Sequence, residues 1–315
     1  MPDAADLAFV NRWQRGFPLD ARPFARMGIS EDQALATLRS LKQLGVIDRV
    51  GPVFRPNTVG ASSLAAMSVP PERLAEVAAF VSEQPGVNHN YEREHRYNLW
   101  FVVTGRDAIT VETTIRTLEE ATGLRVLRLP LLEEFHVDLG FDLESRDAPR
   151  EAAPQAFPPL SQAERRLVAA TVDGLPLIPE PYAAIAIKAR MTDEDVVSHL
   201  RAMLADGRIR RIGAVVRHRR LGYEANAMAV WDVPDQQVAA LARRLSRDPA
   251  VTLCYRRARA LPDWPYNLYC MVHGRERSRV AGELARMNAS YGLQRFPKAV
   301  LFSEHCFSQR AASYG

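Results

Sequence analysis

The chain is poor in cysteine, in long apolar runs and in net charge. Its 315 residues include three cysteines, Cys254, Cys270 and Cys306, and none belongs to a CxxC pair. So sparse and odd a set excludes a disulfide framework and fits a reducing, cytoplasmic setting. No stretch approaches the roughly 18 uninterrupted apolar residues of a membrane span. The N-terminus MPDAADLAFVNRW carries two early aspartates where a secretory signal has its apolar centre. The formal net charge is only +4, so any basic function has to come from local clustering. The seven histidines show no zinc spacing with cysteine. What remains is ordinary globular composition, 47% hydrophobic and 25% charged, over a length that suits two or more modules.

The sequence repeats itself. LKQLGVIDRVGPVFRPNTVG matches AMLADGRIRRIGAVVRHRRLG, with Gly45 on Gly207, Gly51 on Gly213, Arg55 on Arg217 and Gly60 on Gly222, all at an offset of 162. QPGVNHNYERE matches DPAVTLCYRRA and sets Tyr91 on Tyr255 at 164. YNLWFVVTG matches YNLYCMVHG and sets Tyr97, Asn98 and Leu99 on Tyr266, Asn267 and Leu268 at 169. His136 and His305 share that last offset and read as packed histidines in both copies. The offset grows where loops belong, as expected of one unit of roughly 140 residues used twice.

Each unit reads in two parts. A short helix, a turn at Gly28, a helix capped by Ser30 with Gln33 and closed by Gly45, and then a β wing form a winged helix-turn-helix pattern. Thr192 and Gly207 repeat the cap and the stop in the second unit. After the wing comes strand–helix–strand–strand–helix–strand, the ferredoxin-like βαββαβ order, whose open sheet face is expected to pair with the other copy. The fold class is therefore α+β, a tandem repeat. The expected domains are 1–60 (winged helix-turn-helix), 61–143 (ferredoxin-like), a Pro- and Ala-rich linker at 144–160, 161–222 (second winged helix-turn-helix) and 223–315 (second ferredoxin-like domain).

The basic residues cluster. RRIGAVVRHRR, from Arg210 to Arg220, places Arg211 and Arg217 at the ends of a strand-like alternation. Arg256, Arg257 and Arg259 follow Tyr255, and NHNYEREHRYN holds His89, Tyr91, Arg93, His95 and Asn98. Such runs are either solvated surface or a grip on anions. Phosphate of DNA is disfavoured, because the second helix of each helix-turn-helix begins with acids: Glu31 and Asp32, then Asp193, Glu194 and Asp195. Carboxylates suit arginine better, since its planar fork donates two parallel hydrogen bonds. The copies also differ chemically. His218 falls on Pro56, and His89 falls on Leu253. His89 shares a strand face with Tyr91, and arginines beside His218 favour its neutral ring.

The architecture resembles that of the Lrp/AsnC regulators over nearly the whole chain. RRIGAVVRHRRLGY, AMAVWDVP and CYRR followed by LPDWPYNLYCMVHG resemble, more narrowly, the siroheme decarboxylases in a fused two-unit form. That resemblance implies loss of carbon dioxide from the two acetates on rings C and D of siroheme, giving didecarboxysiroheme, with siroheme as substrate and no further cofactor. For that chemistry the candidate catalytic residues are His218, Tyr255 and His89, with His218 and Tyr255 bordering the reacting acetate. The candidate substrate contacts are Arg211, Arg217, Arg256, Arg257, Trp264, Tyr266, Asn267, Arg55, Tyr91, Arg93, His95 and Asn98. Trp264 and Tyr266 would form a desolvating wall, while Asn98 and Asn267 would orient a carboxylate or cap a strand. His89 or His95 would ligate the siroheme iron. The partners implied are siroheme and its products, with no DNA or membrane, and the two units pairing within the chain. A further homo-oligomer or a complex with related decarboxylase subunits would add to that pairing. The alternatives are a DNA-binding regulator and a tetrapyrrole sensor that does not react.

Overall fold

The computed structural model describes residues 2–137, 157–312 and 314, and the side chains of Val137, His218 and Arg219 lie outside that description. Most of the expected linker, 144–160, also lies outside it.

The first unit runs α1 (Ala4–Arg12), a 3-10 turn (Pro23–Arg26), α2 (Glu31–Gln43), β1 (Ile47–Phe54), β2 (Ala61–Met67), α3 (Leu74–Glu83), β3 (Val87–Arg93), β4 (Leu99–Gly105), α4 (Ala108–Thr122) and β5 (Val126–Val137). The second runs α5 (Gln162–Thr171), α6 (Pro181–Ala189), α7 (Asp193–Ala205), β6 (Ile209–Val216), a 3-10 turn (His218–Leu221), β7 (Ala225–Trp231), α8 (Asp235–Leu245), β8 (Val251–Arg257), β9 (Leu268–Gly274), α9 (Arg277–Tyr291), a 3-10 turn (Leu293–Arg295) and β10 (Lys298–Gln309). Both expected caps of the second helices form as full capping boxes, Ser30 with Gln33 and Thr192 with Asp195, each contributing about 1 kcal/mol. Gly45 and Gly207 follow those helices at φ +70° and +85°, where a side chain would be strained.

The wings depart from expectation. Each unit supplies one strand, and β1 pairs antiparallel with β6 in a two-stranded ribbon shared by both units. Gly51 and Gly213 face each other at its centre. A Cβ on Gly213 would lie 2.4 Å from the carbonyl oxygens of Trp13 and Gln14, and one on Gly51 would lie 3.0 Å from the Cα of Gly174. The glycines thus admit the turn after each first helix, which bonds across to the other unit's strand: Ala214 N–H to Trp13 O at 2.8 Å and Leu175 N–H to Val50 O at 2.7 Å. One apolar core, with Phe24, Leu38, Leu41, Tyr182, Ile185 and Leu200, serves both helix-turn-helix halves.

The sheets pair as expected but close fully. The order β10-β3-β4-β2-β5-β8-β9-β7 forms a barrel of two ferredoxin-like sheets joined at both edges, β5 to β8 and β10 to β3. Helices α3 and α4 cover one sheet outside, and α8 and α9 cover the other. The inner faces share a core that includes Trp100, Leu129, Met228, Val230, Trp264 and Leu301.

Strand register corrects one match. Helices α4 and α9 end at Gly123 and Gly292, still 169 apart. The 3-10 turn Leu293–Arg295 then adds three residues in the second unit. Glu134 lies opposite Tyr255, and Cys306 lies opposite Tyr91, so the last strands correspond at an offset of 172. His136, opposite Cys254, therefore corresponds to Ser308, opposite Asn90, and not to His305.

Candidate active site

The ribbon lies against the barrel at its two ends, and the two junctions are built from corresponding positions. Alternation along β8 sends Cys254 and Arg256 toward α8, while Tyr255 packs on the barrel core. Along β3, Asn90 likewise bonds to Ala78 O on α3, and His89 and Tyr91 stack at 6.3 Å on the other face.

The first junction centres on His89. Asp48 at the start of β1 binds Arg49 at 2.8 Å and, from the other unit, Arg217 at 2.6 Å. Burial pushes the Asp48 carboxyl up, but hydrogen bonds from Arg217 and Arg49 outweigh it and hold it below its ordinary range. Burial, and then the Arg49 charge, lower His89 to about 4 against the opposing Asp48, so the ring is neutral at pH 7. Gln309 lies opposite His89 on β10, and its carbonyl is 3.5 Å from Arg217. The Nε groups of Arg49 and Arg217 are buried with no acceptor among the described residues. The backbone of His218 follows Arg217 here.

The second junction has the same positions and different chemistry. Arg210 stands where the first has Asp48, Leu253 where it has His89, Pro56 where it has His218 and Glu134 where it has Cys306. Arg210 pairs with Glu134, and both are largely buried. Burial and then Glu134 push the Tyr255 hydroxyl up to about 12. Arg55 bonds through its backbone N–H to Arg208 O at 2.8 Å. Its guanidinium lies 5.7 Å from the Phe157 ring, with a buried Nε that has no acceptor.

Arg93 and Arg257 repeat one geometry. Each spans to the neighbouring strand, Arg93 Nη1 to Leu301 O at 3.1 Å and Arg257 Nη1 to Leu129 O at 3.0 Å. Each lies over the tyrosine two residues before it, at 5.8 Å from Tyr91 and 5.2 Å from Tyr255. Burial lowers the pKa of Arg257, partly offset by Tyr255 and Tyr269.

Several expected residues are placed elsewhere. Arg210 and Arg217 are seven residues apart on an extended strand, about 23 Å, so the His218 segment and Tyr255 belong to opposite junctions and cannot border one acetate. Arg211 is buried and donates to the carbonyls of Gln14 and Ala214, which fixes the turn after α1. Arg256 binds Asp235 on the outer, helix-covered face at 3.1 Å. Trp264 is fully buried in the barrel, with its Nε1 on the Tyr269 hydroxyl at 2.6 Å and Tyr266 packed edge-on at 4.9 Å. It fills the core and forms no substrate wall. His95 accepts the Tyr97 N–H at Nδ1 (3.1 Å) and meets Trp264 edge-on at 5.3 Å, so it belongs to that aromatic plug. Asn98 clamps both backbone groups of Val69 at 2.9 Å, and Asn267 does the same to Val233 at 2.9 and 3.0 Å. Their amides are engaged on both sides, which leaves the strand-holding role and removes the carboxylate one. The residues overlooked in sequence are Asp48, Arg49, Glu134 and Gln309. Only the exchange of Asp48 for Arg210 was visible there, at the 162 offset.

The AsnC-like ligand binding domain family matches residues 59–136 and 220–308, and the siroheme decarboxylase NirDL-like HTH domain family matches residues 6–47 and 164–210. The chain is 42% identical to the siroheme decarboxylase NirDL subunit of Paracoccus denitrificans, over 99% of this chain and 97% of that one. It is 32% identical to the siroheme decarboxylase of Hydrogenobacter thermophilus, over 96% and 92%. The crystal structure of siroheme decarboxylase NirDL in complex with an iron-uroporphyrin III analogue superposes with a TM-score of 0.72 at 28% identity, covering 98% of this chain and 94% of that one.

Proposed function

The chain belongs to the siroheme decarboxylase family in its fused, two-unit NirDL form, and we propose that it removes carbon dioxide from the acetates on rings C and D of siroheme. The product is didecarboxysiroheme, for haem d1 or an alternative route to haem, made in the cytoplasm. One observation in particular supports this reading. Buried guanidinium donors on Arg49, Arg217 and Arg55 face no protein acceptor among the described residues. An unsatisfied buried donor of this kind costs about 1–3 kcal/mol, and a substrate rimmed by acetate and propionate carboxylates would satisfy those of Arg49 and Arg217 at the first junction, with Arg55 their counterpart at the second.

The chemistry follows from the ordinary properties of the groups. Breaking the bond between methylene and carboxylate leaves an electron pair that the macrocycle delocalises. A proton must then reach the methylene carbon to make the methyl group. His89, neutral in the free protein, gains a proton more readily once substrate carboxylates offset Arg49, and can then act as general acid. His218, whose side chain lies outside the described residues, is the second proton donor we assign, because the chain places it beside Arg217. Tyr91, Arg93, Arg217 and Arg49 hold the carboxylates, and Tyr255, Arg257 and Arg55 are their counterparts at the second junction. The acidic starts of α2 and α7 weigh against a DNA-reading role, with Glu31 already paired to Arg22. Association into larger oligomers, or with related subunits, would be additional to the intramolecular barrel.

Absorbance titration with siroheme followed by mass analysis tests the function. Binding with loss of carbon dioxide supports the enzyme, binding without loss supports a sensor, and no binding with salt-dependent DNA retention supports a regulator.

A further inference from the structure

Resting on the reading just given, we infer that the segment following β10 is a strap across one side of the first junction, hinged at Arg310 and latched by Tyr314 on Gly60, and that it opens to pass the tetrapyrrole. The strap starts beside the site. Gln309 lies opposite His89, and the chain leaves the barrel directly after it. Arg310 fixes that departure. Its backbone N–H donates to Asn88 O at 2.8 Å, and its guanidinium donates to Val87 O at 2.7 Å, to Ser82 O at 2.9 Å and to Gln84 O. Ser82 and Gln84 stand at the C-terminal end of α3, where carbonyls lack helical partners and a cation is favoured.

The far end is held by packing. The Tyr314 ring joins the helix-turn-helix core, and a Cβ on Gly60 would lie 2.5 Å from that ring and from Gly105 O. Among the described residues no hydrogen bond holds Tyr314. Ala311 and Ala312, small and half-buried, lie between the two ends. The five residues from Arg310 to Tyr314 span at most roughly 17 Å, so the segment joins the barrel rim directly to the ribbon layer. The second junction has no such latch. Gly222 stands at the Gly60 position with φ +83°, and a Cβ on it would meet nothing within 4 Å.

Such a strap works as a gate. The Nε of Arg49 is buried, so a substrate carboxylate reaches it only when a neighbour moves. The strap has one end fixed by charge-assisted bonds and one end held by a single ring, which is the build of a hinged segment. The ring also suits a place beside Arg49. Burial pushes the Tyr314 hydroxyl up to about 12, against the pull of the Arg49 charge. A neutral phenol leaves that guanidinium free for a substrate carboxylate. Shut again over bound tetrapyrrole, the strap keeps the once-decarboxylated product from escaping before its second acetate reacts.

The test is the rate at which iron-uroporphyrin III binds to the full chain and the rate at which excess siroheme displaces it, both followed by absorbance. Tyr314→Ala should speed association and dissociation together, each about fivefold to tenfold. The equilibrium affinity should stay within about threefold, because a gate acts on both directions alike. Tyr314→Phe keeps the ring and should stay within about twofold of wild type in both rates. With siroheme as substrate, Tyr314→Ala should release a larger share of once-decarboxylated product. If Tyr314→Ala fails to fold by circular dichroism, Arg310→Gln, which loosens the hinge at an exposed position, should show the same joint rise. Unchanged rates in the variant that folds would overturn the inference. So would faster dissociation with unchanged association, which would make Tyr314 a substrate contact and not a latch. Wild type that fails to bind iron-uroporphyrin III and siroheme would instead refute the function on which the strap rests.

Discussion

Replacing His89 with leucine should make the protein less sensitive to mild acid, and the size of the effect can be worked out. The ring is held at about 4 against an ordinary value of 6.5. Between those values the unfolded chain binds a proton that the folded chain refuses, so this group's contribution is full above pH 6.5 and falls as the pH drops toward 4. Integrated from pH 7 to pH 5, the loss is about 2 kcal/mol, a ceiling for a partly exposed ring. The charged groups facing it are Arg49 and Asp48 from β1. Asp48, held below its ordinary 3.8, stays ionised throughout that window. His95 is also lowered by burial, and then by Arg96, but it titrates alike in both proteins and cancels. Urea unfolding of wild type and His89→Leu at pH 7 and pH 5 measures the double difference. Wild type should lose about 1–2 kcal/mol more than the variant. Equal losses in the two proteins would refute the half-buried, neutral His89 on which the first junction depends.

Asn98→Ala and Asn267→Ala should each cost about 1–3 kcal/mol in urea unfolding, because each leaves the backbone of Val69 or Val233 without its partners. Neither should change siroheme affinity, as read by absorbance titration. Arg217→Ala should weaken siroheme binding roughly tenfold to a hundredfold by removing a charge-assisted contact, and acid titration should show Asp48 less depressed. Trp264→Ala should destabilise by about 3–5 kcal/mol through the cavity it leaves, with loss of the aromatic near-ultraviolet signal.

The repeat, the caps and the βαββαβ order were legible because they rest on local chemistry: Ser30 and Thr192 next to acids, Gly45 and Gly207 after apolar periodicity. The ribbon was not, because pairing β1 with β6 instead of with a second wing strand is a choice between chain halves that no local pattern encodes. Its trace was the pair Gly51 and Gly213, whose need for close approach becomes clear only when the crossing turns are seen. At the site, His89 with Tyr91 followed from strand alternation. The separation of His218 from Tyr255 did not, since basic residues close in sequence lie at the two ends of β6. Trp264 was expected to wall the substrate, but the five extra residues before Tyr266 fold its indole into the barrel core, a tertiary choice that no local pattern encodes. Glu134 stayed hidden behind the three-residue 3-10 turn that shifts the last strand's register.

The most direct test of the account is a single turnover of siroheme by the purified chain in deuterated water, with the tetrapyrrole recovered for mass spectrometry. The recovered product should be lighter by two carbon dioxide units, with one solvent deuteron in each new methyl group. Recovery of bound siroheme with its mass unchanged would contradict it.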